Sequence, residues 1–519
     1  MSPAARELVK AGIKRTPARR MLPRRPHVPK EAWAARMSTL AATLDRAPAA
    51  PSADHAYNVR RVRRRLRDAD TQMVWLVLAV LSARLPSPDH VVDAHRDLVL
   101  HGAQAVFRAA RKAATRESVN RQVEVVTGVT VVDMGDLVLF PLGTGIQRVA
   151  RMVGRAWQST QAYSAVGWTP DMDAMYRLDD NARDIALGLP TASDHVRSAG
   201  DDHPETVVVP WDCTYVLPEL AIQPRRCLSL NAMARFSRNR CAVIGFDCVP
   251  LTSPETTAGG FPAVFALNLA AVAHFDLVVT ISQAAATEYG GWRRMLGGAG
   301  LPGPEIVALS LPVQVPDTTP ESLAAAEERF LVGDLPLVLC VGSHEPRKNH
   351  LAVLHAAEQL WRSGEQFSLT FVGGNSWGSE EFTERRHQLE RAGRPVEAVS
   401  RLGDNLLWAA YRLARFSVFP SLNEGFGLPV AESIAAGTPA VTSDFGSMRE
   451  IGQEGGALLV DPRDDVALTE ALRTLLTDDT LLERLKQECA ARTPDGWDDY
   501  ADALWVLAHR GDGTVSQAR

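Results

Sequence analysis

The sequence predicts an α/β protein built from two doubly wound domains with parallel sheets. Two series of alternating strand-like and helical runs predict it, one over residues 125–315 and one over 330–495. A proline-marked stretch between them, LPVQVPDTTPESL (311–323), has the composition of a linker. A basic extension, helical or disordered, precedes both series.

At 519 residues the chain is long enough for two or three sizeable cores. Its 46% hydrophobic and 23% charged content is that of a globular protein. The six cysteines (213, 227, 241, 248, 340 and 489) form no C-x-x-C pair and read as scattered reduced thiols, which fits a cytoplasmic location. No secretory signal opens the chain, and the longest strongly apolar run, Met73–Leu81, is too short to span a bilayer. Charge is uneven: residues 1–125 hold 24 Lys and Arg against 11 Asp and Glu, within a chain whose net charge is −5.

Residues 1–55 read as a mostly disordered basic arm, with nine cations and five prolines in the first thirty positions and a linker-like APAAPS at 47–52. Residues 56–124 read as a small helical extension, with six arginines between Arg60 and Arg67 ahead of the apolar MVWLVLAVLSARLP. Such a basic helical region suits an anionic membrane surface, at about 1 kcal/mol per well-placed cation. It equally suits the solvated face of a helical cap. Nucleic acid is not expected, because no aromatic residues interleave with the arginines.

From Val125 the pattern turns strand-like, in VEVVTGVTVVDM and in DLVLFPL. Gly143-Thr144-Gly145 and the helical IQRVARMVGRAW follow, so strand, glycine turn and helix open a doubly wound domain. Further strands are expected at 206–212, 241–247 and 276–282. Ligands bind such sheets at the carboxyl ends of strands, which puts Asp212, Asp247 and Ser282 near the cleft, Ser282 as the N-cap of the next helix. The second series places strands at 335–342, 367–374, 396–403, 416–421, 439–443 and 457–461, each followed by a helix.

Two stretches carry chemistry. Phe416–Gly437, FSVFPSLNEGFGLPVAESIAAG, reads as a buried strand, a glycine loop, and a helix opened by Pro429 and stopped before Pro439. Glu424 lies on the loop and Glu432 about one turn into the helix. Between them Gly425 and Gly427 let the backbone approach a ligand, and the helix N-terminus attracts anions. Carboxylates accept hydrogen bonds from paired hydroxyls, so this set suits a sugar nucleotide. Two glutamates eight residues apart also fit a turn and a solvated helix face. The second stretch, Gly342-Ser343-His344-Glu345-Pro346-Arg347-Lys348-Asn349-His350, puts two adjacent cations at a strand end before a helix. A planar guanidinium fork beside a point charge suits a diphosphate; a solvated basic turn is the alternative.

The run PSLNEGFGLPVAESIAAGTPAVTS resembles the signature of glycosyltransferase family 4, retaining enzymes of the GT-B fold. HEPRKN resembles that family's G-[RT]-L-x-P-R-K-N segment, and GFDCVPLTSPE its HDLIPL…PE segment, over about 125–510 in all. The resemblance implies a retaining transfer of a hexosyl or deoxyhexosyl group, mannosyl-like, from a nucleoside-diphosphate sugar to a glycan, lipid-linked or protein acceptor. It assigns Arg347, Lys348 and Glu424 to catalysis. Gly425, Phe426, Gly427, Leu428 and Glu432 fall to the donor, with Gly342, Ser343, Gly143 and Gly145, and Asp247 to the acceptor side. It implies a last helix, 496–512, crossing back to the first domain. No cofactor is implied, and no metal is expected because the cations take its place. Phe246 and Ser343 depart from the pattern, standing where the family often has histidine and arginine. A GT-B nucleotide-sugar epimerase and a non-catalytic sugar- or partner-binding module are the rival readings. The inner face of the cell membrane is the peripheral location that the basic region would allow.

Overall fold

The structure, a computed structural model, describes residues 27–45, 54–139, 145–189, 204–400, 402–493 and 495–511. Two sheets organise it. The second has six parallel strands: β10 (Leu337–Val341), β11 (Ser368–Val372), β12 (Val396–Val399), β13 (Phe416–Phe419), β14 (Ala440–Ser443) and β15 (Ala457–Val460). Their spatial order is β12-β11-β10-β13-β14-β15, so the direction of winding reverses between β10 and β13. That reversal opens a crevice at the carboxyl ends of these two strands, where doubly wound sheets bind ligands. Helices cover both faces: Val353, Leu360 and Trp361 pack on one, and Phe330, Trp408 and Tyr411 on the other.

The first sheet has nine strands: β1 (Gln122–Val126), β2 (Thr130–Asp133), β3 (Tyr163–Trp168), β4 (Met175–Arg177), β5 (Thr206–Pro210), β6 (Thr214–Leu217), β7 (Arg240–Gly245), β8 (Leu277–Thr280) and β9 (Glu305–Ala308). All pairings are parallel except those of β4 with β3 and β5. Only three residues separate β1 from β2 and β5 from β6, so each pair is one extended run with a break, and the two runs pair side by side. Asp212 sits in the second break, at a left-handed φ of 61°, on the amino side of β6. Its expected place at the cleft edge is therefore corrected. The DLVLFPL run differs too: Gly135–Leu139 is a short helix, with Leu137 buried under the sheet. The period-two reading failed there because apolar residues on both sides of a short helix also look continuous.

The N-terminal region is more ordered than its composition suggests. Lys30–Leu44, within the stretch expected to be disordered, is a helix with Trp33, Met37, Leu40 and Ala41 buried. Their spacing makes a helical stripe that the cation and proline count concealed. The remainder of the arm (1–26) and the 47–52 linker lie outside the described residues. Helices Thr71–Ser82, Pro88–His101 and Ala103–Ala113 join this one in a single apolar core with one face of the first sheet, and Trp75 stacks on Trp211. The region is therefore built into that sheet's core. Arg36 pins it. Its guanidinium is fully buried and donates to the carbonyls of Leu81, Ser118, Val119 and Arg121 at 2.5–3.1 Å. Burial, with Arg121 nearby, lowers its pKa to about 10.

On the other face lie helices Gly145–Thr160 and Trp497–His509. The latter packs on the former, where Trp157 Nε1 donates to the Ala501 carbonyl at 2.8 Å, and on the sheet, where Arg240 Nε of β7 donates to the Ala508 carbonyl at 2.9 Å. Helix Trp497–His509 thus crosses back to the first domain, as the resemblance implies. The same apolar core runs on through Phe246 and Ile281 to Phe426, Val430, Met448 and Ile451 of the second.

Arg36→Met is expected to destabilise the full-length protein by roughly 3 kcal/mol or more, because it strips a donor from several buried carbonyls at once. Denaturant unfolding measures this. A loss under about 1 kcal/mol would show that the N-terminal helices contribute little to the first domain's stability.

Candidate functional site

The site forms where β10 and β13 end side by side. After β10 the chain turns at Gly342, whose N–H donates to the Val372 carbonyl at 2.9 Å, and passes the exposed Ser343. It then makes a single turn of 3₁₀ helix at Pro346–Lys348 before helix His350–Ser363. After β13 comes the Ser421–Gly427 loop and then helix Leu428–Ala435. The two loops are welded by charge. Glu424 receives Arg347 Nη1 on Oε2 at 2.5 Å, and Lys348 Nζ (2.5 Å) and Ser421 Oγ (2.7 Å) on Oε1. Arg347 also donates to the Asn423 carbonyl at 2.7 Å and to Glu345 Oε1 at 3.0 Å. Burial alone would raise the Glu424 pKa, but the two cations outweigh it and hold it down at about 2. Arg347, flanked by carboxylates, is pushed above its ordinary value despite its burial. The sequence-predicted trio Arg347, Lys348 and Glu424 is therefore one ionic cluster.

His344 and His350 of the same stretch take another part. They pack against Phe371 and Phe382, and burial lowers both pKa values, that of His350 to about 3. They are neutral core residues that hold the loop from behind.

Gly425 touches the opposite domain. A β-carbon there would come 2.3 Å from the Phe246 carbonyl oxygen and 3.2 Å from Asp247 Cβ, so only glycine permits this approach. Gly427 has a φ of 98°, the left-handed turn that starts the helix. Phe246 is buried among Phe426 and its neighbours, and its backbone is what meets the loop. Several contacts close the seam. Ser282 Oγ donates to the Gly425 carbonyl at 2.6 Å while also capping its own helix at Ala285. Asn423 Nδ2 donates to Glu288 Oε1 at 2.9 Å, and Glu450 receives the Gln283 and Ala284 N–H groups at 2.9 and 3.0 Å. Ser282 is thus both cap and seam, beyond the cap expected of it. Glu288 and Glu450 carry no local signal, because their partners across the seam lie 135 or more residues away.

Glu432, 4% exposed, faces the first domain. Its Oε1 receives Arg148 Nη1 at 2.7 Å from helix Gly145–Thr160, and its Oε2 the Tyr411 hydroxyl at 3.4 Å. Burial raises its pKa, with Arg148 opposing. Gly145, the first residue of that helix, abuts the Leu428 side chain; Gly143 lies outside the described residues. Asp247, at the end of β7, accepts from the Val249 N–H at 3.1 Å. Burial raises its pKa to about 6, with Arg347 opposing and Glu288 and Glu424 adding to the rise. The structure thus brings Arg347, Lys348, Glu424, Gly425 and Asp247 together. Phe426, Gly427, Leu428, Gly145 and Glu432 lie along the same seam, and Gly342 and Ser343 at its edge.

Two facing doubly wound domains with this cleft define the GT-B fold. Solved structures share it: sucrose-phosphate synthase from Thermosynechococcus elongatus (TM-score 0.51, 18% identity, 73% of this chain and 97% of that one). Anabaena HepE in complex with UDP and glucose gives a TM-score of 0.51 at 14% identity, over 73% of this chain and 99% of that one. Residues 324–492 match the family of glycosyl transferases group 1, and the family 4 resemblance of the motifs holds. The serotype-specific mannosyltransferase WbdA of Escherichia coli is 28% identical over 342 residues, 62% of this chain and 38% of that protein. A D-inositol 3-phosphate glycosyltransferase of Xylanimonas cellulosilytica is 33% identical over 213 residues, 39% of this chain and 48% of its own. The chain spans about two fifths of the length of the first of these relatives.

The raised pKa of Asp247 makes its ionised form a cost to the fold. The cost is absent below the unfolded value of 3.8 and grows as pH rises through about 6. Asp247→Asn should therefore melt higher than the parent at pH 7–8, with the gap closing between pH 6 and 4. Paired thermal melts across that range check it; a gap independent of pH would mean that Asp247 does not titrate there.

Proposed function

We propose that this protein is a retaining glycosyltransferase that uses a nucleoside-diphosphate sugar and passes a hexosyl or deoxyhexosyl group, mannosyl favoured, to a glycan, lipid-linked or protein acceptor. The observation that carries the reading is the Arg347–Glu424–Lys348 cluster at the strand ends of one domain, facing Asp247 across the cleft. The family match and the likeness to a mannosyltransferase support it. In this reading Arg347 and Lys348 neutralise the departing diphosphate, and the Gly425–Leu428 backbone and Glu424 position the sugar. Glu432 accepts the ribose hydroxyls.

A carboxylate held near pKa 2 is too weak a base to take a proton at neutral pH, which leaves Glu424 a positioning role. The acceptor oxygen would bond to the anomeric carbon as the bond from that carbon to the diphosphate oxygen breaks. The acceptor's proton would pass to the departing diphosphate on the same face. Asp247 would orient the acceptor. No resident metal enters this scheme, in which Arg347 and Lys348 are the groups that meet the diphosphate.

The parent is expected to hydrolyse its preferred nucleotide sugar slowly without acceptor, and Glu424→Ala to lower that turnover about a hundredfold or more. A panel of UDP-, GDP-, ADP- and dTDP-sugars, followed by nucleotide release, checks this. Tight binding with no turnover of any donor would favour the non-catalytic module.

The basic helix His55–Arg65 supports a peripheral contact with an anionic membrane. No helix among the described residues is long and apolar enough to cross a bilayer. The basic helix is anchored by buried Asn58 and Val62, with Leu66 just beyond it, while Arg60, Arg63, Arg64, Arg65 and Arg67 stay exposed. Because this segment is joined to the first domain's core, charge reversal is the sound test rather than truncation. Arg60, Arg63, Arg64 and Arg67 changed together to Glu should abolish low-salt binding to vesicles of one-third phosphatidylglycerol and leave donor hydrolysis unchanged. Equal binding by both proteins would defeat the membrane role.

A further inference from the structure

The cation pair of the donor site is already spent. Arg347 and Lys348 bring two positive charges, and Glu424 and Glu345, both in contact with them, bring two negative ones. A diphosphate entering there would meet a cluster of no net charge, with the Asp247 carboxyl close by. Further positive charge must come from elsewhere, and Ser343 at the edge supplies none.

Arg148 is placed to supply it. Helix Gly145–Thr160 and helix Leu428–Ala435 meet at their N-terminal ends, with Gly145 against Leu428. One turn further in, Arg148 and Glu432 face each other at 2.7 Å. A turn of helix is about 5.4 Å, within the swing of an arginine side chain, and both N-termini favour an anion. Unlike Arg347 and Lys348, whose side chains are 14% and 11% exposed, that of Arg148 is 44% exposed. Glu432 is the carboxylate that a ribose diol would claim. While Arg148 holds Glu432, the diol and the guanidinium compete for one oxygen.

We propose that Arg148 is a movable third cation of the donor site: it pairs with Glu432 before the donor binds, then yields that carboxylate to the ribose and turns to the diphosphate. This rests on the donor-site reading above, which the experiment tests separately. A single residue thereby links recognition of the two ends of the donor's charged half. Nucleoside alone breaks the ion pair without giving the arginine a new partner, whereas a nucleoside diphosphate repays the exchange. Arg148 thus favours the whole nucleotide over its fragments, from a domain that otherwise faces the acceptor.

Titration calorimetry on the full-length protein tests this with UDP, GDP, ADP and dTDP and with the four matching nucleosides. For the base that the parent prefers, Arg148→Ala should weaken the diphosphate about tenfold or more. Its affinity for the nucleoside should be unchanged or higher, because Glu432 is released. Arg148→Lys should recover part of the diphosphate affinity, and Glu432→Gln should weaken nucleoside and diphosphate alike. Equal losses for nucleoside and diphosphate in Arg148→Ala would overturn the proposal in favour of a purely structural pair. Unchanged or stronger diphosphate binding would overturn it too, leaving Arg148 a mere competitor for Glu432. If the parent binds none of the four diphosphates, the donor-site reading itself fails. Binding in the parent that Glu432→Gln leaves untouched fails only the ribose assignment, and with it the exchange proposed for Arg148.

Discussion

The site depends on one carboxylate held by two cations. Glu424 takes Arg347 and Lys348 at 2.5 Å each and Ser421 at 2.7 Å, so the loops after β10 and β13 cannot move apart without breaking ionic bonds in a poorly solvated place. Those strands are neighbours at which the sheet reverses its winding, and the lips of the crevice they leave are tied further by the Leu422 N–H and the Ser421 hydroxyl, which both donate to the Arg347 carbonyl, at 2.9 and 3.0 Å. The cluster also fixes the backbone beyond it. Arg347 holds the Asn423 carbonyl, which sets the approach of Gly425 to the Phe246 carbonyl and hence the fit of one domain on the other. Ion pairs of this kind contribute little net stability. Their value here is geometric, since they hold donors and acceptors on a loop that would otherwise be loose.

Local chemistry was readable from the sequence wherever the partners are near in the chain or stand at strand ends of one sheet. The second domain's six strands, its glycine loop and its R-K pair follow from short-range pattern, because a parallel strand buried on both faces is a short apolar run and the residue after it is at the crevice. The first domain was harder. Strands β3, β4, β6 and β9 were missed; β4 is three residues long and antiparallel, and β6 follows β5 after three residues. Asp212 departs from expectation for the same reason: the end of its apolar run is no strand end at the crevice but a break after which the chain continues into β6. The N-terminal helices look like an extension in sequence because their charge dominates the composition. Arg36, one cation among many in the sequence, is a buried clamp on the loop that ends at Arg121, 85 residues away. No periodicity carries that information. Arg148 and Glu432 stand 284 residues apart, and only the meeting of two domains makes them partners.

The two sheets each carry a charge cluster, and the two clusters differ in how far they are sealed. The first sheet also reverses its winding, at β2 and β6, and also places charge at the carboxyl ends there. Arg226 is paired with Asp133 at 3.0 Å, Asp136 at 3.2 Å and Glu219 at 3.0 Å, and the Trp168 and Tyr215 side chains donate to Asp133 as well. Three acids on one guanidinium would leave surplus negative charge in a buried place. Burial, with Asp136 adding to it, raises the Glu219 pKa to about 8, so a shared proton relieves the surplus at neutral pH. That hub is closed: Asp133, Glu219 and Arg226 are at most 1% exposed. It sets the floor of the first domain's crevice and holds the short Gly135–Leu139 helix, with the Asp136 N–H on Glu219 at 2.7 Å. In the second sheet the same position is open at the seam, with cations in slight surplus access to solvent and a glycine in place of a side chain. The fold therefore supplies two equivalent crevices and seals one with its own charges. The other keeps its paired cations, Arg347 and Lys348, partly exposed at the seam.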